Sequence, residues 1–435
     1  MFDYNTGSPG PIQVGVVYGK EQKQLYVSAT GGSNVTANLV PKIFFNKTIL
    51  VGGGVCGYPS CLNNPTDSCG PWFLSYNLQS NTYNLNCSAE PNNGITTHLL
   101  DVVLDYVNQN LYLYHSSAKP GAGVLFSVPF SELSSFLENL QPPKNYKVAW
   151  IYPSQNVPNG FSNYPGNVVL YKNKLYIVGE DSSENYYIWV VPYNQIEWSS
   201  SYPSSPQTIG SVYQIYNGGG AGIGSIFLNY YLENNSIVPK IIAYIPANFN
   251  QGNITYNNVY IYSIDPSTME ATLLYSLQNA SAFMRAINLG GIILFVRKLS
   301  SNSYVISAYD TKTNTYEQSQ ELTNLLGLIL AKPNYAIAFS GSPSDMTITI
   351  YEILVDVMPK FENVVYQNGI LSGKLINARY NVPIGNTPVY LFTLESQGDN
   401  YSSGELVAST TTDNYGNFSF NIPNKGYYDV KIIFP

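Results

Sequence analysis

Val168-Val169-Leu170-Tyr171-Lys172-Asn173-Lys174-Leu175-Tyr176-Ile177-Val178-Gly179 reads as an apolar run, a tight turn and a second apolar run. β-Branched and aromatic residues flank Lys172-Asn173 on both sides, which predicts two short strands joined by that turn. Relatives of this pattern recur: Val14 to Ala29 with Gln24-Leu25-Tyr26-Val27, Ile43 to Gly54 with Thr48-Ile49-Leu50-Val51-Gly52-Gly53, and Val102 to His115 with Asn110-Leu111-Tyr112-Leu113. Ala286 to Val296 and Ile329 to Phe339 are further copies. A second unit, a strand, a turn and a Thr-Tyr strand, follows several of them, at Leu74 to Tyr83 and Ala308 to Tyr316 and more loosely at Tyr262 to Glu270.

Outward from these hairpins the chain keeps one character, short Val, Ile, Tyr and Phe runs broken by Gly, Pro, Asn and Ser, which is the pattern of an all-β protein. The exception is Phe130-Ser131-Glu132-Leu133-Ser134-Ser135-Phe136-Leu137, whose apolar spacing of three and four after a serine predicts one short helix. Modules begin near residues 13, 43, 99, 167, 225, 284 and 328. Four strands per module is what propeller blades require, because each blade buries its faces only against its neighbours. Six or seven blades are expected, with seven favoured by the module count.

The 435 residues include 20 Lys and Arg against 27 Asp and Glu, a net charge of -7. Charged residues are 11% of the chain, against about 25% in an ordinary soluble domain. Polarity comes instead from 48 Asn, 39 Tyr and many Ser and Thr. Three arginines (Arg285, Arg297, Arg379) make no basic groove, so nucleic acid is not an expected partner. The longest apolar runs, Gly291 to Val296 and Leu325 to Ala331, fall short of the roughly 18 residues of a membrane helix, and no membrane span is expected. Met1-Phe2-Asp3-Tyr4-Asn5 lacks the basic and then apolar regions of a secretion signal, so an external protein of this kind either has lost a leader or leaves the cell by assembly.

Cys56, Cys61, Cys69 and Cys87 cluster among Gly, Pro and Asn with no histidine between them and no C-x-x-C pair. Two local disulfides are expected in preference to zinc, with all three pairings open.

Residues 12–357 resemble kelch-like β-propellers, in which the second strand ends in glycines and an aromatic-Asp-x-x-Thr turn joins the third and fourth. Only Val51-Gly52-Gly53-Gly54 and Ala29-Thr30-Gly31-Gly32 keep the glycine pair, and Tyr83 or Tyr316 stands at the family's usual Trp. Residues 369–435 resemble a transthyretin-like or carboxypeptidase-regulatory-like β-sandwich, Ig-like in architecture, through Thr411-Thr412-Asp413-Asn414-Tyr415-Gly416-Asn417-Phe418-Ser419-Phe420 and the closing Gly426-Tyr427-Tyr428-Asp429-Val430. Asp413 to Gly416 supplies turn formers, and Phe418, Phe420 and Ile422 then alternate onto one face. The expected organisation is an extension at 1–11, the propeller at 12–357, a linker at 358–368 and the sandwich at 369–435.

Propellers host enzymes at their central channel, so each chemistry is tested against the residues. A sialidase needs three arginines from separate blades, and Arg285 and Arg297 share one module. A copper site resembling that of galactose oxidase needs two histidine ligands and a free cysteine; His98 and His115 lie in one module, where the expected role is hydrogen bonding within strands. Asp101, Asp105, Glu180, Asp181 and Asp265 sit near strand ends and could reach the channel, yet an acid in a turn is by default a turn former. Asn217-Gly218-Gly219-Gly220-Ala221-Gly222-Ile223-Gly224 has no Lys after it and reads as a blade connection rather than a phosphate loop. No catalytic residue, metal or cofactor is expected.

What remains is surface. Trp72, Trp150, Trp189 and Trp198 offer platforms on which sugar rings stack, and Trp189 and Trp198, flanking Pro192-Tyr193-Asn194, are the candidate binding residues together with Tyr193. Eight sequons (Asn34, Asn46, Asn86, Asn234, Asn253, Asn279, Asn400, Asn417) are allowed glycosylation sites, although this composition alone gives about seven.

Low charge with abundant neutral polar residues resembles surface and virion proteins of thermoacidophilic archaea. Carboxylates protonate in strong acid, whereas neutral groups keep a surface wetted at any pH. The expectation is a non-enzymatic protein at the cell exterior or on a virion, attaching to a cell-surface glycan or protein and docking other structural subunits through the sandwich. A cellular adhesin, S-layer or pilus-associated protein is the alternative within that class, and a secreted carbohydrate hydrolase or oxidase the alternative outside it.

Overall fold

A computed structural model of the chain describes most of residues 96–433, apart from short intervening stretches, and strand segments between residues 14 and 86. The protein is all-β. β1 (Val14–Gly15) and β2 (Lys23–Ser28) precede a first sheet of β3 (Val40–Phe44), β4 (Thr48–Gly53), β5 (Trp72–Asn77) and β6 (Thr82–Asn86). A second sheet follows with β7 (Thr96–Asp105), β8 (Asn110–Ser117), β9 (Gly123–Pro129) and β10 (Lys147–Pro153). The third has β11 (Val168–Tyr171), β12 (Lys174–Glu180), β13 (Tyr186–Pro192) and, after the detour of β14 (Gln207–Ile209), β15 (Ser211–Tyr216). The fourth is β16 (Ser225–Glu233), β17 (Ser236–Ala247), β18 (Asn258–Ile264) and β19 (Ala271–Gln278). The fifth is β20 (Ile287–Leu289), β21 (Ile292–Ser300), β22 (Ser303–Asp310) and β23 (Thr315–Gln318), with β24 (Leu322–Thr323) also on β22. β25 (Gly327–Ala331), β26 (Tyr335–Ser342) and β27 (Asp345–Glu352) form the sixth, and β28 (Leu354–Val355) pairs with β1.

The opening hairpin motif is β11–β12. Lys172 (φ 48°) and Asn173 (φ 56°) both take left-handed backbone, the two-residue turn whose twist matches antiparallel strands. Asn234 and Asn235 (φ 50° and 63°) repeat it between β16 and β17. First strands of successive sheets lie against one another, β3 by β7, β7 by β11, β11 by β16, β16 by β20 and β25 by β3, and β25 also lies by β21, the second strand of the fifth sheet. That closed circuit makes a β-propeller of six sheets among the described residues. Of the module near residue 13, the described strand β2 pairs along β27 from Lys23↔Ile350 to Ser28↔Asp345 and completes the sixth sheet.

The core lies between the sheets. Tyr114, Leu125 and Ile151 of the second sheet pack on Leu170, Ile177 and Trp189 of the third, and Val178 and Ile188 of the third pack on Ile226 and Ile241 of the fourth. Each such side chain contributes about 1.5–3 kcal/mol when withdrawn from water. Buried polar clasps link consecutive first strands as well. Asp101 Oδ2 accepts the Val168 N–H at 2.5 Å, Asn167 exchanges two hydrogen bonds with the Ile226 backbone at 2.6 and 2.7 Å, and Ser225 Oγ accepts the Ala286 N–H at 3.1 Å. The expected helix is present as a 3-10 turn at Phe130–Glu132 running into α1 (Leu133–Asn139), with Leu133, Phe136 and Leu137 in the core.

The C-terminal unit has two layers. β29 (Pro359–Gln367), β30 (Ile370–Asn377), β31 (Val382–Pro383) and β34 (Asn417–Asn421) form one, and β32 (Pro388–Gln397), β33 (Tyr401–Thr411) and β35 (Tyr428–Lys431) the other. Leu375, Ile384, Val389, Leu391, Phe418, Phe420 and Ile422 fill the space between. Residues 359–367, expected as linker, are a strand of this unit: β29 pairs with β30, and Phe361 packs edge-on against Phe418 at 5.4 Å.

Candidate functional site

The ends of three first strands are met by the C-terminal unit of the chain itself. β32 pairs with the axis-facing edge of β7 at Ser396↔Asp105 and Gln397↔Leu104. The Tyr106 N–H donates to Glu395 O at 2.8 Å, and the Ser396 hydroxyl donates to Leu170 O at 2.7 Å. On the returning strand, the Ser403 N–H donates to the Tyr230 hydroxyl at 2.7 Å. The β32–β33 hairpin thus reaches the ends of the first strands of three consecutive sheets, and Ser396, Gln397, Ser402 and Ser403 are buried there.

The strand-end acids are engaged by their own surroundings. Asp105 accepts from the Val107 and Asn108 N–H groups (2.9 and 3.0 Å), from Asn108 Nδ2 (2.6 Å) and from the Tyr112 hydroxyl (3.0 Å). Asp181 does the same for Ser183, Asn185 and Tyr187. Asp265 holds Ser267 and Thr268, and the Ser267 hydroxyl foremost lowers its pKa. Asp101 is the clasp described above, and Glu180 is buried at the end of β12. Carboxylates bonded in this way fix turns and sheet junctions. Among the described residues, no group of three His, Cys, Asp or Glu is placed to hold a metal ion.

The three candidate binding residues part company. Trp189 is 0% exposed, packed between the second and third sheets with its indole N–H donating to Ile209 O at 2.9 Å, so no ring face is left for a ligand. Trp198 and Tyr193 are half-buried on the segment that leaves the third sheet to lay β14 parallel to β10. Trp198 stacks on Tyr112 (5.6 Å, 19°), and the Tyr112 and Tyr193 hydroxyls are hydrogen-bonded at 2.8 Å. Burial foremost, and then Asp105, raise the Tyr112 pKa, keeping it a neutral donor. Trp150 is half-buried on β10, its N–H on Ser117 Oγ.

Further aromatic groups lie between other sheets. Tyr216 of β15 stacks on Tyr260 of β18 (5.1 Å, 29°), and Tyr275 of β19 on Tyr309 of β22 (4.2 Å, 17°), each joining the fourth strand of one sheet to the third strand of the next. Burial, and then Tyr260, push the Tyr216 hydroxyl up to about 12. Beside Tyr275, Arg297 Nη1 donates to the Tyr316 hydroxyl at 2.8 Å and to Gln318 Oε1 at 3.0 Å. This guanidinium, amide and tyrosine group was not singled out from the sequence; the Thr-Tyr strand carrying Tyr316 was the available signal.

The four cysteines lie outside the described residues, as do the sequon positions Asn34, Asn46, Asn253, Asn279 and Asn400. Asn86 ends β6, Asn234 is exposed in the β16–β17 turn, and Asn417 is exposed with its amide donating to Asp413 Oδ2 at 2.9 Å. Most of the glycine-rich stretch from Asn217 also lies outside the description.

No family model matches the chain, and no curated protein matches it. Among solved structures, the SapL1 lectin in complex with alpha methyl fucoside is similar at 12% identity, covering 74% of this chain and 95% of that one with a TM-score of 0.42. An alpha-L-arabinanase from Penicillium chrysogenum complexed with arabinobiose is similar at 12% identity over 76% and 98% of the two chains, with a TM-score of 0.42. The β-propeller domain of the Trilobed protease from Pyrococcus furiosus is similar at 10% identity over 79% and 91%, with a TM-score of 0.35.

Proposed function

We propose that this chain is a non-enzymatic binding protein at the cell exterior or on a virion, a kelch-like propeller that attaches to a cell-surface glycan. Its transthyretin-like C-terminal unit serves as spacer and as docking point for other structural subunits. The observation that carries the reading is the hairpin laid on the ends of the first strands: Ser396 and Gln397 pair with β7 on the side where a propeller enzyme gathers its reacting groups, and the nearby Asp105 already accepts four hydrogen bonds. Ligand contact then falls to the half-buried rings between sheets, Trp198 with Tyr193 and Tyr275 with Tyr316, Arg297 and Gln318. Aromatic faces next to hydrogen-bonding side chains suit sugar rings, which stack and hydrogen-bond without carrying charge. The paucity of charge fits a surface exposed to acid, as on particles of thermoacidophilic archaea and their viruses.

The test is binding of the full chain to a panel of neutral glycans and to whole cells, with product analysis on the same samples. Saturable binding that varies little with salt supports the reading, since an uncharged glycan forms no ion pair for salt to screen. Trp198→Ala and Arg297→Ala are each expected to weaken it by about 1–3 kcal/mol if their groups are anchors. Cleavage or oxidation of a glycan by the purified chain would sink it in favour of an enzyme.

A further inference from the structure

The fourth sheet carries tyrosines on both of its broad faces, close to one edge. On the face towards the third sheet, Tyr260 and Tyr262 of β18 lie half-buried with Tyr216 of β15, and the Tyr216 and Tyr260 rings are stacked. Asn258 Nδ2 donates to the Tyr260 hydroxyl at 3.3 Å, which sets an amide beside that stack. On the face towards the fifth sheet, Tyr275 of β19 lies half-buried against Tyr309, with Tyr316, Arg297 and Gln318 nearby. The two groups stand at one level along the strands. Tyr260 pairs with Ser276 and Ile261 with Tyr275, so the two tyrosines differ by a single step of register and fall on opposite faces of the sheet. The edge that separates them is β19, the last strand of the sheet, on which Thr272, Leu273 and Ser276 are exposed. Packed sheets lie about 10 Å apart, so the thickness of one sheet divides the two groups.

We propose that one glycan chain crosses this edge and meets both tyrosine groups, so that the ligand of this face is the interior of an extended neutral polysaccharide rather than a single terminal sugar. The inference rests on the glycan reading above and adds the Tyr216–Tyr260 group to the rings named there. One sugar stacked on one half-buried tyrosine is a small contact. Once it is bound, the next sugars of the same chain are held beside the second group, and their binding becomes intramolecular. The Ser276 hydroxyl on the crossing, with the Asn258 amide and the Arg297 guanidinium on either side of it, supplies hydrogen-bonding groups for sugar hydroxyls along the way.

The experiment takes whichever neutral polysaccharide of the panel binds the full chain, cuts it into oligomers of one to about ten sugars, and measures affinity against length by calorimetry. Affinity should rise about 100-fold or more between the single sugar and the first oligomer that spans the edge, far beyond the gain that extra registers on one site would give. Tyr260→Ala and Tyr275→Ala should each abolish that rise, leaving long oligomers little better than the single sugar. Tyr260→Leu and Tyr275→Leu keep apolar volume between the sheets and serve in place of any alanine variant that does not fold. Affinity independent of length, or a rise that survives in either variant, overturns the proposal and leaves the glycan reading standing. A panel without any binder overturns both.

Discussion

Lys172 occupies a conformation that costs an ordinary residue about 1–2 kcal/mol, yet it is held there by the turn and by the bond its N–H makes to Glu395. Lys172→Gly leaves that bond and relieves the backbone, so its stability should match or exceed wild type. Lys172→Val should lose about 1–3 kcal/mol in chemical denaturation. Trp189→Ala should cost about 3–5 kcal/mol as a core truncation and leave ligand affinity of the folded protein unmoved, the reverse of Trp198→Ala. The burial of Trp189 was legible: it sits between Ile188 and Val190 in an unbroken apolar run, the pattern of a strand covered on both faces, and the neighbouring Pro192-Tyr193-Asn194 misdirected the reading towards the rim. Asp413 shows what an exposed carboxylate does in a turn. The Asn417 amide, then the Asn417 and Tyr415 N–H groups, hold its pKa below the ordinary aspartate value. Its contribution is therefore present at neutral pH and lost as the pH falls through that lowered value. The melting temperature of Asp413→Asn should lie below wild type at neutral pH and converge with it in strong acid.

At the scale of elements, the clasps between first strands set the spacing of the sheets. Asp101→Ala strips the buried Val168 N–H of its acceptor, which should cost about 1–3 kcal/mol and speed hydrogen exchange at that amide. Such clasps were not readable from sequence, because an Asp inside an apolar strand gives no hint of which neighbour it meets. The opening hairpin was readable, since Lys172-Asn173 decides its turn locally. β29 was missed for a physical reason. Most of its residues are at least half-exposed, so no alternation marks it, and Pro359 with Lys360 looked like the end of a blade. The docking of β32 on β7 was equally hidden, for Ser396 and Gln397 differ in nothing from residues of an open loop.

At the scale of the molecule, the start of the C-terminal unit has a direct test. A fragment of residues 359–435 contains the whole two-layered core, and it should melt cooperatively as a β-sheet protein. One of residues 369–435 lacks Phe361 and the edge partner of β30, so its melting temperature should be lower or its transition lost. The pairing of β2 also belongs to this scale, because the sequence shows β2 only as the start of another repeat and its partner β27 lies at the far end of the propeller. That pairing bears on how the protein is made. A ribosome delivers β2 first and β27 last, so sheets one to five can each pair from neighbouring strands while synthesis proceeds, and the ring stays open until Glu352 has emerged. Closure is then the slowest kind of step, the joining of distant segments. A circular permutant beginning at Val40, with β2 moved behind β27, would turn that step into one more local hairpin, and it should refold faster to the same arrangement of strands.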